Sequence, residues 1–277
     1  MITAGRYHTL TVGRISDYGL YLTNDEGDEV LLPNRFVSLD NKAGDKMDVF
    51  VYHDSEDRLV ASTEHPYVTV GQAAMLKVVD KNIHGAFLDW GLKAKDLFVP
   101  NRNMKTQLRI GDSYLFYVYE DDRTGRAVAT TKLGEFVSND KIEVSPGEKV
   151  RIIVAQAGEL GYRVVVNDLN WGMIYRNQIF RPVAVGDTME GYVAKITDDN
   201  RIDISLQQAG YDGVQSSAEE LRALLGKHGG KLPVGDRSTP EEVSAVTGMS
   251  KKVFKRAAGS LLKAGEIEVG NNEIKVK

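Results

Sequence analysis

Three stretches of this chain, residues 5–63, 71–131 and 147–207, carry one pattern in one order. Each opens on a glycine and an alternating run, passes a glycine turn, and reaches an L/V/I-x-P/Y-Asn/Arg segment. Each then restarts at Gly-Asp and closes on a short strand-like run. The restarts AGDKMDVFVYHDSEDRLVAST, IGDSYLFYVYEDDRTGRAVATT and VGDTMEGYVAKITDDNRIDISLQ keep the same phase within their units. A unit of about 60 to 70 residues is longer than a solenoid repeat and large enough to bury a core of its own. The pattern therefore predicts three similar small domains in tandem, over residues 1–66, 67–137 and 141–210.

Within the units, apolar and polar residues alternate with the period of a strand. Tyr7, Thr9 and Thr11 stand against His8, Leu10 and Val12, and Tyr114, Phe116 and Val118 against Leu115, Tyr117 and Tyr119. Turn formers separate the runs: Asp25-Glu26-Gly27-Asp28, Gly44-Asp45, Asp122-Arg123-Thr124-Gly125, Gly186-Asp187 and Asp198-Asp199-Asn200. About five short strands fit in each unit, with no helix long enough to cover a sheet, so a closed or nearly closed five-stranded barrel of the OB type is the expected way to remove exposed edges. The chain is thus expected to be mainly β, three tandem OB-fold barrels followed by a small α+β domain.

The segment GYVAKITDDNRIDISL, residues 191–206, resembles the closing hairpin of the S1 RNA-binding OB repeat. That family also carries an aromatic-Gly-x-aromatic step on its second strand, and here Tyr18-Gly19-Leu20-Tyr21 and His84-Gly85-Ala86-Phe87 are similar to it. A glycine between two rings three residues apart predicts a local bulge that brings both rings onto one face. The third repeat departs from the step at Leu160-Gly161-Tyr162-Arg163, but has Tyr175 where the first two have Pro33 and Pro100. The resemblance implies single-stranded RNA lying across strands two and three. Bases would stack on Tyr18, Tyr21, His84, Phe87 and Tyr175, while Arg35, Arg102, Arg163 and Arg176 would meet phosphates or bases. The plainer alternative for any of these rings is a place in the core, and for the arginines a solvated surface.

After Tyr211-Asp212-Gly213 the period changes to that of a helix. Residues 216–228 place Leu221, Leu224 and Leu225 at helical spacing. Thr239-Pro240-Glu241-Glu242 is a helix start with a threonine cap, a proline in the first turn and a glutamate that can close a capping box. Val243, Val246 and Gly248 finish that helix; Ser250 caps another that runs to about Lys263 and stops at Gly265. Ile267-x-Val269, a Gly270-Asn271-Asn272 turn and Ile274-x-Val276 make a small hairpin. Helix, short strand, helix, turn, helix and hairpin is the order of a winged helix, which residues 215–277 resemble. In the last helix Val253, Phe254, Ala257, Ala258, Leu261 and Leu262 share one half-turn, and Lys252, Lys255, Arg256, Gly259 and Lys263 fall opposite. That basic stripe is the face a helix-turn-helix presents to nucleic acid; a solvated face or a protein-docking face is the competing reading. Lys227-His228-Gly229-Gly230-Lys231 neither follows a strand nor opens a helix, so it reads as a turn and not as a phosphate loop.

Charge argues against a uniformly basic binder, since the net formal charge is −4. The acidity is concentrated: residues 1–70 sum to −6, residues 71–140 to +1, residues 141–210 to −1 and residues 211–277 to +2. Polyanions should favour the later segments unless stacking replaces charge in the first. Cysteine is absent, which removes disulfides and thiolate metal sites and accords with the cytoplasm. No apolar stretch approaches a membrane span and the N-terminus has no leader pattern, so no membrane association is expected. Five scattered histidines give no ligand spacing, and neither a metal nor a cofactor is expected.

Three S1-type barrels and a winged helix in this order, with PVGDRSTPEEV and SKKVFKRAAGSLLKAG, resemble the conserved virulence factor B family of bacterial RNA-binding regulators. The resemblance implies a cytoplasmic protein that binds single-stranded RNA and influences gene expression, with no reaction of its own. Two other classes stay open at this level. One is a DNA-binding transcriptional regulator that uses the winged helix, with the barrels accessory. The other is an enzyme such as a nuclease; the lack of an Asp/Glu/His cluster that recurs at metal-binding spacing argues against it.

Overall fold

The computed structural model describes residues 1–38, 40–179, 181–207 and 211–277, the last of these from its backbone alone up to residue 216. The first repeat forms strands β1 (Arg6–Ser16), β2 (Gly19–Thr23), β3 (Glu29–Pro33), β4 (Lys46–His53) and β5 (Leu59–Ser62). The second forms β6 (Ala73–Lys81), β7 (Gly85–Leu92), β8 (Lys95–Pro100), β9 (Ser113–Glu120) and β10 (Ala127–Thr130). The third forms β11 (Lys149–Ala157), β12 (Gly161–Val166), β13 (Asn170–Tyr175), β14 (Thr188–Ile196) and β15 (Ile202–Ser205). Its expected end at residue 210 lies outside the described residues.

Each set closes into a five-stranded barrel of the same circuit. The first strand pairs antiparallel with the second and the fourth, and the third pairs parallel with the fifth, at Leu31 with Val60, Phe98 with Val128, and Gly172 with Ile202. Closure leaves no open sheet edge, and alternate residues turn inward. In the first barrel Leu10, Val12, Leu20, Leu22, Leu32, Val49 and Val51 form that interior, and Ile152, Val154, Val164, Val166, Ile174 and Ile204 do so in the third.

A bulge is present on the first strand of every barrel, and not at the glycine step of the second strand where the sequence predicts it. The register skips between Val12 and Arg14, between Val78 and Asp80, and between Val154 and Gln156. The glycine has another task. A Cβ placed on Gly19, Gly85 or Gly161 would fall 2.0, 2.1 or 1.9 Å from the carbonyl oxygen of Leu32, Val99 or Ile174 on the neighbouring strand. The second and third strands approach so closely there that only glycine fits. Gly161 also sits at φ +151°. Gly161→Ala is expected to lower stability by about 1–3 kcal/mol through this overlap, seen as a lower urea midpoint with far-ultraviolet circular dichroism unchanged in buffer.

The C-terminal domain begins with α1 (Tyr211–Lys227), a helix that starts five residues before the expected Ser216. Then follow β16 (Lys231–Leu232), α2 (Pro240–Thr247), α3 (Lys251–Lys263), β17 (Ile267–Val269) and β18 (Ile274–Val276), with β18 central in a three-stranded sheet. The start of α2 is as the sequence predicts: Thr239 accepts from the Glu242 amide, and the Glu242 carboxylate accepts from the Thr239 amide. Gly248 ends α2 at φ +69°, and Ser250 caps α3 on the Val253 amide. Leu221, Leu225, Val243, Phe254, Ala257, Leu261 and Ile274 build the core. Leu262, assigned by its helical angle to the core-facing half-turn, is 48% exposed; the sheet and the other helices cover a narrower arc of α3 than the full apolar stripe. No helix of the described residues is long and apolar enough to cross a membrane.

The chain divides into two compact units, Met1–Val137 and Ser138–Lys277. Inside the first unit the two barrels share a buried seam. Phe50 and Tyr52 alternate with the interior residues Val49 and Val51 on β4, so they point out of their own barrel, yet both are buried. They join Trp90, Val68 and Val70 and the interior of the second barrel in one apolar cluster. Trp90 meets the Phe50 ring edge-on at 5.3 Å and donates from Nε1 to the Val68 carbonyl at 2.8 Å.

Candidate nucleic-acid interface

The shared register puts one outward row across the first three strands of every barrel. Counting two residues on from the close-approach glycine gives Tyr21, Phe87 and Arg163. Across the bulge their first-strand partners are Arg14, Asp80 and Gln156; on the third strand they are Leu31, Phe98 and Met173. The residues just before the glycine, Tyr18, His84 and Leu160, are exposed, and their carbonyls accept from the amides of Asn34, Asn101 and Arg176.

In the first barrel Tyr18, Tyr21, Arg35 and Tyr52 line one groove of about 950 Å³, so the two rings do share a face. Tyr18 is 75% exposed. Tyr21 is half-buried, with the Arg14 guanidinium carbon 3.4 Å from its ring centroid, and Arg14 reaches Glu29 at 3.4 Å. Arg35 donates to the Tyr52 hydroxyl at 3.3 Å and lies over Phe36. A planar cation laid on a ring makes a stack that a base can extend.

In the second barrel His84 and Phe87 line a smaller cavity of about 400 Å³ together with Phe98, whose ring centroid is 5.2 Å from that of Phe87. Arg102 is not part of that lining. It pairs with Asp121 at 2.7 Å on the adjoining strand connection. The local field is less favourable to a polyanion than the segment's +1 implies. Burial pushes the Asp96 carboxyl above the usual carboxylate range, and Asp89 and Asp80 push it further.

The third barrel replaces the ring with Arg163, whose guanidinium carbon stands 3.8 Å from the centroid of Trp171. Burial lowers the Arg163 pKa from its ordinary value. Tyr175 is half-buried; burial, then the Asp203 charge, raises its pKa. Arg176 falls one residue out of step with Arg35 and Arg102. Its guanidinium donates to the carbonyls of Gly158 at 2.9 Å and Glu159 at 3.4 Å, as the side-chain amides of Asn34 and Asn101 donate to Asp17 and Ile83. It braces the turn before the close-approach glycine.

Lys252, Lys255, Arg256 and Lys263 are all exposed on α3, opposite Phe254 and Ala257. Lys255 is tied to Asp236 at 2.8 Å. A Cβ on Gly259 would meet nothing within 4 Å, so the middle of this face is open backbone. Arg14, Tyr52, Phe98 and Trp171 are the contributors that sequence reasoning missed. Arg14 and Phe98 are cross-strand neighbours of rings already singled out, which shows only once the register is known.

The S1 domain family model matches residues 4–64 and 70–132, and the CvfB-like winged helix domain model matches residues 219–276. The chain is 27% identical over 271 residues to the uncharacterized protein YitL of Bacillus subtilis, with 95% of this chain and 90% of that protein covered. It is 24% identical over 269 residues to conserved virulence factor B of Staphylococcus saprophyticus, covering 91% and 87% respectively. A crystal structure of a multidomain protein with nucleic acid binding domains from Streptococcus pneumoniae aligns over 99% of this chain and 98% of its own, at 20% identity and a TM-score of 0.42.

Proposed function

We propose that this chain, which belongs to the conserved virulence factor B family of S1-domain and winged-helix proteins, binds single-stranded RNA across the outer rows of its barrels and regulates gene expression through that binding. The observation that carries the reading is the stacking surface at one register position in the barrels: Tyr21 under Arg14, Phe87 beside Phe98, and Arg163 on Trp171. Flat π surfaces and guanidinium planes hold unpaired bases, which a duplex keeps stacked inside. On this reading the protein works in the bacterial cytoplasm and carries out no reaction of its own. Parallel titration with single-stranded RNA, single-stranded DNA and duplex DNA of one sequence tests it. The single strands should bind at least tenfold more tightly than the duplex, with RNA preferred; duplex binding as tight as RNA binding would overturn it.

The second reading, duplex DNA held by the winged helix, is favoured by the exposed Lys252, Arg256 and Lys263 on α3. In our account these residues give the RNA strand a salt-sensitive, sequence-blind contact. Changing all three to glutamine should flatten the slope of log affinity against log salt by up to about 2, at about 0.7 per phosphate on a single strand, and leave preferences among RNA sequences intact. An unchanged slope would make this stripe a solvated or protein-docking face.

A further inference from the structure

His53, which ends β4, and Lys95, which opens β8, come together at the seam of the first two barrels. The two depressions described above adjoin there. Asp54 and Ala94 line the larger groove, while their chain neighbours His53 and Lys95 line the smaller cavity with Phe87, Phe98 and Arg126. The Nδ1 atom of His53 is buried and has no hydrogen-bond partner. The half-buried Lys95 ammonium donates to the Asp54 carbonyl at 3.2 Å, and no carboxylate among the described residues forms an ion pair with it. The acidic groups beside it are otherwise engaged: Asp54 with Arg58 and Asp57 with Arg126, each at 2.7 Å. Asp96 faces the same cavity, with Asp89 and Asp80 close to it, and these carboxylates are set against an anion.

We infer that a single strand of nucleic acid runs from one barrel to the next across this seam, and that Lys95 holds the phosphate at the crossing, beside the His53 ring. The inference rests on the proposed RNA-binding reading and gives it a path. A half-buried ammonium held by one carbonyl keeps donors that have lost water without gaining an acceptor, and a phosphate oxygen in the cavity supplies one, with the His53 ring beside it in the lining. Burial lowers the pKa of both groups from their ordinary values, as that loss of water requires. Stacked bases on Phe87 and Phe98 to one side and on Tyr21 to the other would place the linking backbone at this point. The Phe50–Trp90 packing keeps both depressions in one fixed alignment.

The test compares an oligouridine of four nucleotides, about the smallest site of one OB fold, with one of twelve, by fluorescence anisotropy on the full chain. Lys95→Gln should weaken binding of the twelve-mer about tenfold and lower its salt slope by about 0.7, and should change binding of the four-mer less than twofold. Lys95→Arg should restore the twelve-mer. Asp57→Asn, which breaks the Arg126 pair and leaves Lys95 in place, should not weaken it. Equal losses on both lengths, or none, would overturn the crossing and leave the RNA reading standing. If the wild-type chain bound neither length, both would fall.

Discussion

Replacing Tyr18 and Tyr21 together with alanine is expected to weaken single-stranded RNA binding by about 2–3 kcal/mol, roughly 30- to 150-fold at fixed salt. The first barrel lies in a segment with a balance of −6, so attraction of phosphates cannot be what brings RNA to it. Stacking can, because a base gains about 1–3 kcal/mol on an aromatic face whatever its sequence. Tyr21 is already fixed, with Arg14 on its ring and Leu31 opposite on β3, so little conformational freedom is lost when a base arrives. Tyr18, largely in solvent, has no structural task that its loss would disturb. Arg35→Ser should cost less than the double replacement. A folded double variant with wild-type affinity would leave the tyrosines as idle surface.

Phe50→Ala should have the largest effect on stability, a loss of about 3–5 kcal/mol from the first unit. Its ring is fully buried outside its own barrel, between Tyr7 at 5.5 Å, Tyr52 at 6.3 Å and Trp90 at 5.3 Å. Truncation would leave a cavity that two stiff barrel walls cannot collapse to fill. Urea unfolding followed by tryptophan emission reads the effect, with a red shift expected from Trp90 in the folded variant. A loss under about 1 kcal/mol would mean the seam is a loose contact between independent barrels.

The barrels were legible because three copies of one pattern leave few alternatives, and the winged helix because Thr239, Glu242, Gly248 and Ser250 each have a local task that is visible in sequence. What sequence could not supply lies between strands. Phe98 and Arg14 become partners of Phe87 and Tyr21 only through register, and the register of the first strand against the second depends on a bulge that no glycine marks in the second and third barrels. Alternation places Phe50 on the outer face of β4 without saying that a second barrel covers that face. Arg176 reads as the counterpart of Arg35 in sequence, yet one residue of slip turns it to the task of Asn34. A helical angle assigns Leu262 to the core, and only the packed neighbours show where the covered arc ends.

Ultraviolet crosslinking of the full chain to a twelve-nucleotide single-stranded RNA, with the attached residues identified by mass spectrometry, tests the central claim most directly. Crosslinks at Tyr18 or Tyr21, at Phe87 or Phe98, and at Trp171 are the predicted result, since these rings lie in or beside the rows on which bases are held to stack. Crosslinks confined to α3 and its flanks, with the barrel rings untouched, would contradict it.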